Sequence, residues 1–123
     1  MRRIYSNPPR YGATVAGVIL NNKQYNQEWQ DELKNVVAMR IIDMRALLRG
    51  ELERIGAPGK WNHITDQIGM FSYTGLSPKT CEVLTKKYHV YLMKTGRISV
   101  AGINKKNVAY LAQSIKSAIE ETA

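Results

Sequence analysis

The stretch His89–Ile103, HVYLMKTGRISVAGI, sets two short apolar runs on either side of a turn. Val90-Tyr91-Leu92 and Ile98-Ser99-Val100 have the composition of strands, and Lys94-Thr95-Gly96 between them has that of a turn. A similar run, Ile68-Gly69-Met70-Phe71-Ser72-Tyr73, predicts one more strand. Helices stand around these runs. Ser77 ahead of Pro78 reads as an N-cap with proline at the first helical position, opening a helix that runs to about Lys87. Asn104 reads as the cap of a last helix, buried along Val108, Leu111, Ala112, Ile115 and Ile119. The resulting order is helix, strand, helix, strand, strand, helix: an α+β layer with a small sheet and packed helices.

Working upstream, Trp29, Leu33, Val36, Val37, Ile41, Met44, Leu47, Leu48, Leu52 and Ile55 recur at three- and four-residue steps. They predict one long helix from about Gln24 to Ile55, ended by Gly56-Ala57-Pro58-Gly59. Some 30 residues of helix would span about 45 Å, long for a chain of this size, so the helix reads as a connection between two bodies. Asn21-Asn22 breaks it from a short apolar helix, Tyr11–Leu20, which is rich in the small residues Gly12, Ala13, Ala16 and Gly17. Pro8-Pro9 makes the approach to that helix extended. The division expected is residues 1–25, an arm and short helix; 26–58, the connecting helix; and 59–123, a small α+β domain.

The chain has 123 residues, 44% of them hydrophobic, enough for a modest core. Its formal net charge is +8. The basic residues are spread along the chain rather than clustered with aromatics, so solvated faces account for them and no nucleic-acid partner is expected. No apolar run approaches the ~20 residues that span a bilayer, and no membrane partner is expected. Cys81 is the single cysteine, which excludes an intrachain disulfide and a thiolate metal site; within TCEVLTKKY it reads as helix filler. His63 and His89 lack ligand spacing, so no metal is expected. A Gly-rich phosphate loop, paired carboxylates and a Ser-His-Asp arrangement are all missing.

Two arginines remain. Arg97 follows a turn glycine and opens a strand, so its side chain leaves a fixed backbone position; Arg2 stands shortly before the proline pair. A guanidinium matches a carboxylate with a planar fork that lysine does not have. Phe71 belongs on the strand expected near Arg97. Each of the three is otherwise an ordinary surface arginine or core aromatic. Residue chemistry alone thus reaches an α+β domain with an anion site and names no reaction.

Arg2 with Tyr5-Ser6-Asn7-Pro8-Pro9 and Gly12-Ala13 resembles the R-x-x-[WY]-S-N-P-P-x-x-G-A signature of the aspartate aminotransferases, class I enzymes that depend on pyridoxal 5'-phosphate. The runs ITDQIGMFSYTGLSP (Ile64–Pro78) and HVYLMKTGRISVAGI are similar to the same family, in the same order and at fitting spacing. The resemblance covers essentially the whole chain and implies the carboxy-terminal part of a type I fold: the end of the large domain, the connecting helix and the small domain. It implies a homodimer that interconverts aspartate plus 2-oxoglutarate with oxaloacetate plus glutamate. By the same resemblance Arg97 grips the substrate α-carboxylate and Arg2 reaches the distal carboxylate across the dimer interface. Phe71 stands beside substrate and cofactor, and Ser6 and Asn7 lie near the neighbouring active site. Arg3 stands where the family usually has proline. The Schiff-base lysine and the residues that cup the phosphate lie upstream of this stretch in the family, so the chain alone is expected to be inactive and to contribute no catalytic residue. Two other readings share the residues: a stretch of an aromatic-amino-acid transaminase, and a non-catalytic interaction module whose charge serves an acidic partner. Tyr5 and GRISVAG resemble mitochondrial and plant members, an expectation of a mitochondrial or cytoplasmic protein that leans to the first.

Overall fold

The computed structural model describes residues 9–123. Arg2, Ser6 and Asn7 lie outside the described residues. The chain divides into two compact units, residues 1–39 and 40–123.

In the first unit, α1 (Arg10–Asn21) is the expected short helix. Asn22 has extended backbone, and its side-chain oxygen accepts from the Gln24 and Tyr25 amides at 2.9 and 3.2 Å. Two of the orphan amides that open α2 (Lys23–Glu32) are satisfied in this way. Leu33–Ala38 then turns as a π-helix. No residue of α1, α2 or the π stretch is buried. The long helix predicted from periodicity is therefore continuous in sequence but not uniform. The wider π turn shifts the phase of every side chain after it, and the apolar stripe becomes a buried stripe only beyond it.

The second unit holds the core. On α3 (Met39–Arg54), Met44, Leu48 and Leu52 are buried at four-residue steps. Gly56, at φ 64°, ends the helix, and the Ala57 amide returns to the Leu52 carbonyl at 2.9 Å. A short helix absent from the sequence reading follows, α4 (Asn62–Asp66), started by the buried Trp61, whose indole N–H donates to the Ala57 carbonyl. Strand β1 is Phe71–Tyr73 and β2 is Arg97–Ser99; they pair antiparallel with Phe71 opposite Ser99, Ser72 opposite Ile98 and Tyr73 opposite Arg97. Between them α5 (Pro78–Lys87) starts where Ser77 and Pro78 place it, with the Ser77 hydroxyl accepting from the Thr80 amide at 3.1 Å. A 3₁₀ turn, Val100–Gly102, leads toward α6 (Val108–Thr122), whose buried face includes Val108, Leu111, Ala112 and Ile115.

Three expectations change. Val90-Tyr91-Leu92 forms no strand. His89, at φ 52°, turns the chain out of α5, the Val90 amide bonds the Leu84 carbonyl at 3.0 Å, and Met93 closes a tight turn with Gly96. The Val90 amide is spent on the helix end and Met93 on the turn, and no ladder forms between them. The run beginning at Ile68 is strand only from Phe71, with one further bond from the Val100 amide to the Met70 carbonyl, because Gly69 at φ 87° bends the chain and leaves Ile68 almost fully exposed. Asn104 opens a turn, accepting from the Lys106 and Asn107 amides, and the last helix begins four residues later.

Candidate functional site

Side chains alternate across a strand, and both strands here show one inward residue between two outward ones. Ser72 and Ile98 face the core, while Phe71, Tyr73, Arg97 and Ser99 share the open face. On that face the Arg97 guanidinium carbon stands over the Phe71 ring, 4.6 Å from its centroid. The two lie diagonally across the pair, a spacing within reach of long and aromatic side chains. A flat cation on a ring face gains electrostatic attraction and leaves its edge donors free. They open on a cleft of about 340 Å³ lined by Phe71, Tyr91, Leu92, Met93, Arg97 and Ser99. Among the described residues no carboxylate pairs with Arg97 and its guanidinium donates no hydrogen bond to protein. An unspent fork above an aromatic floor in an open cleft is suited to a carboxylate supplied from outside.

The backbone beneath Arg97 is tightly held. Gly96 has φ 83°, and a β-carbon there would sit 3.2 Å from both the Leu76 carbonyl oxygen and the Thr74 hydroxyl. Thr74 fixes the same turn by donating its amide and its hydroxyl to the Gly96 carbonyl at 2.9 and 2.8 Å. The other strand is held from below. Arg45 on α3 donates to the Gly69 and Phe71 carbonyls, and Gln67 brackets Tyr73, accepting from its amide at 2.8 Å and donating to its carbonyl at 3.2 Å. Arg40, on the same helix, donates to the Ala101 and Ile103 carbonyls just after β2.

The structure thus brings together Phe71 and Arg97, two of the residues singled out in the sequence; Arg2, Ser6 and Asn7 fall outside its described part. Sequence reasoning missed Arg45 and Gln67. The signal for Arg45 was present: it stands three residues before Leu48 and seven before Leu52, on the buried phase of the helix, where a charge is out of place. Gln67 carries no such signal, since its partners are the two backbone groups of Tyr73 and the Ser72 hydroxyl, which only the fold brings to it. Cys81 is buried, and burial pushes its thiol pKa up, which keeps it protonated and unreactive. Among the described residues no three His, Cys, Asp or Glu side chains gather as metal ligands, and no helix is long and apolar enough to cross a membrane.

Residues 1–115 match the family described as aminotransferase class I and II. The chain is 49% identical over 119 residues to the cytoplasmic aspartate aminotransferase of Gallus gallus, covering 97% of this chain and 29% of that protein. To the mitochondrial aspartate aminotransferase of Gallus gallus it is 50% identical over 115 residues, covering 94% and 27%. Among solved structures, the cytoplasmic aspartate aminotransferase of Saccharomyces cerevisiae matches 99% of this chain and 29% of its own length, with a TM-score of 0.93 at 39% identity. The chain spans under a third of the length of these relatives. Its likeness is continuous from the proline-rich opening through both strands to α6, and on that match the chain belongs to the class I and II aminotransferases.

Proposed function

We propose that this chain supplies the substrate-carboxylate site of an aspartate aminotransferase, which moves an amino group between L-aspartate and 2-oxoglutarate to give oxaloacetate and L-glutamate. The observation that carries the reading is the Arg97 guanidinium, stacked on Phe71 in an open cleft with no carboxylate partner among the described residues. Every amino acid and 2-oxo acid in such a reaction presents an α-carboxylate, and a guanidinium fork binds one bidentately. In this reading Phe71 limits where the substrate lies and Arg2 takes the distal carboxylate. Ser6 and Asn7 approach the active site of a second copy in a homodimer. A dicarboxylate removed from water needs a cation for each end, because an unpaired buried charge is costly.

The family generally works with pyridoxal phosphate, which supplies the electron sink for amino-group chemistry when bound. The residues of this cleft do not fit that group. Its lining has one cation and no lysine, whereas the cofactor needs an amine for its aldehyde and donors for its phosphate. The chain's part is therefore to bind and orient the substrate. Either compartment fits, since the two Gallus gallus relatives, named cytoplasmic and mitochondrial, are similar to the chain at 49% and 50% identity.

The test is a chimera in which this chain replaces the matching stretch of the Gallus gallus cytoplasmic enzyme. It is expected to transaminate aspartate in preference to aromatic amino acids, whereas the 123-residue chain mixed with pyridoxal phosphate turns over neither. A folded, cofactor-loaded chimera whose aspartate kcat/KM is unchanged by Arg97→Ala overturns the proposal. A preference for aromatic over dicarboxylic substrates moves the assignment to an aromatic transaminase.

A further inference from the structure

Arg45 is 3% exposed, in the phase of Leu48 and Leu52. A buried cation ordinarily meets a carboxylate. Among the described residues none pairs with Arg45. Its two terminal nitrogens instead donate to four oxygens: Nη1 to the Ile64 carbonyl at 2.6 Å and the Ser72 hydroxyl at 3.2 Å, Nη2 to the Gly69 carbonyl at 2.9 Å and the Phe71 carbonyl at 2.6 Å. Among the described residues the buried Nε has no partner, so the guanidinium has been drawn out of water with its donors not fully satisfied. Burial pulls the guanidinium pKa below its ordinary value, the direction expected for a cation without a counter-ion.

The four acceptors span α4, the bend at Gly69 and the first two residues of β1. Phe71 is gripped by its carbonyl, and its ring lies in the cleft beneath Arg97. Ser72 passes the hold onward, donating to the Gln67 side-chain oxygen at 3.1 Å, and Gln67 brackets Tyr73. A hydrophobic residue in place of Arg45 would pack well but would leave these carbonyls without donors. Lysine would carry the charge as a point on a flexible stem and lacks the planar fork that holds three carbonyls and a hydroxyl together.

We infer that Arg45 is a positioning residue for the carboxylate cleft: it sets the place of the Phe71 ring, and through the ring the direction of the Arg97 fork. Its effect on a substrate carboxylate rests on the role proposed for Arg97; its effect on the ring does not. NMR of the full 123-residue chain tests both. In the parent chain the Phe71 ring, 4.6 Å from the Arg97 guanidinium carbon, is expected to displace the Arg97 side-chain proton signals, and Phe71→Leu is expected to abolish that displacement. Arg45→Lys is expected to reduce it about twofold or more while the methyl signals of Leu84, Leu111 and Ile115 stay in place. Succinate, titrated as the carboxylate probe, is expected to bind Arg97 in the parent chain and to weaken about tenfold to a hundredfold in Arg45→Lys, the scale of a misplaced binding group. Ser72→Ala, which removes one acceptor and the relay to Gln67, is the second variant and should move the Arg97 signals in the same direction by less. Arg97 signals unchanged in both folded variants overturn the inference, as does a loss that the Leu84, Leu111 and Ile115 methyls share, which would make Arg45 a general support. A parent chain that ignores succinate sinks the carboxylate reading of Arg97 and leaves the positioning of the ring to be decided by the displacement alone.

Discussion

Arg97 depends on a residue that has no side chain. Gly96 precedes it at φ 83°, and a β-carbon there would press at 3.2 Å on the Leu76 carbonyl oxygen and the Thr74 hydroxyl. Gly96→Ala is expected to cost about 1–3 kcal/mol in thermal or denaturant unfolding, the scale of a residue forced into left-handed backbone. It should also displace the Arg97 signals from their ring-shifted positions. At the next position the expected loss is chemical rather than structural. In the chimera Arg97→Ala should lower kcat/KM for every amino acid by about 3–5 kcal/mol, two to four decades, since all of them carry an α-carboxylate. Arg2→Ala should harm dicarboxylates far more than aromatic substrates. Steady-state kinetics on aspartate and phenylalanine separate the two roles, and equal losses on both substrates for Arg2→Ala would remove the distal-carboxylate assignment. Cys81 should react with thiol reagents only as fast as the core opens, because burial keeps it in the thiol form.

Among the elements, α5 and α6 are tied at their ends. Ser77 caps α5, and Ser77→Ala is expected to cost about 0.5–2 kcal/mol, read from the denaturation midpoint. At the other end Lys87 Nζ and the Tyr88 hydroxyl both donate to the same Glu121 oxygen at 2.6 Å, joining the end of α5 to α6. Those hydrogen bonds, Lys87's first, hold the Glu121 carboxyl below the usual carboxylate range, and Glu121 raises Lys87 in return. The signs differ. Glu121's pKa is depressed on folding, so its contribution is complete above the ordinary carboxylate range and is lost as pH falls through the lowered value. Lys87's is raised, so its share is complete below the ordinary lysine value and is lost as pH rises through the raised one. Glu121→Gln should therefore be less stable than the parent near neutrality and converge with it toward acid and toward alkali. Parallel unfolding curves at the three conditions check this; a difference that persists in acid would assign the effect to packing.

For the whole molecule the two units should behave differently. Residues 40–123 enclose Leu48, Leu52, Ile64, Leu84 and Ile115, each about 1% exposed or less. Such residues exchange amide hydrogens only through sub-global or global opening. In α1, α2 and the π stretch nothing is buried, and Tyr11, Val15, Val18, Leu20, Tyr25, Trp29, Leu33, Val36 and Val37 are all exposed. Helices of this length without tertiary cover are marginal in water, and so much exposed apolar surface favours association. Hydrogen exchange is expected to show strong protection in α3 beyond Met44, in α5 and in α6, with fast exchange before about Asn26. Sedimentation of the purified chain is expected to show association that rises with concentration. A monodisperse monomer with even protection from Pro9 to the C-terminus would contradict both and would favour the stand-alone interaction module.

What the sequence by itself determined lies where the cause is local. Ser77-Pro78, Gly56 and Asn22 start and stop helices because their own backbone and side-chain chemistry acts within a turn, and the structure has each where the residues put it. The buried stripes of α3 and α6 were legible because burial repeats with the helical period. The likeness in Arg2–Ala13, Ile64–Pro78 and His89–Ile103 was enough for the family. Only the tertiary structure decided the rest. Val90-Tyr91-Leu92 has strand composition, but the end of α5 claims the Val90 amide and the turn before Arg97 starts at Met93, directly after the run. Phe71 and Arg97 stand 26 positions apart in the chain and meet because the register puts them diagonally on one face. Arg45, a charge in the middle of a helix, found its partners in carbonyls 19 to 26 residues away. Backbone carbonyls are the same at every position, so the sequence marks Arg45 as a charge on a buried phase but does not say which carbonyls it would hold.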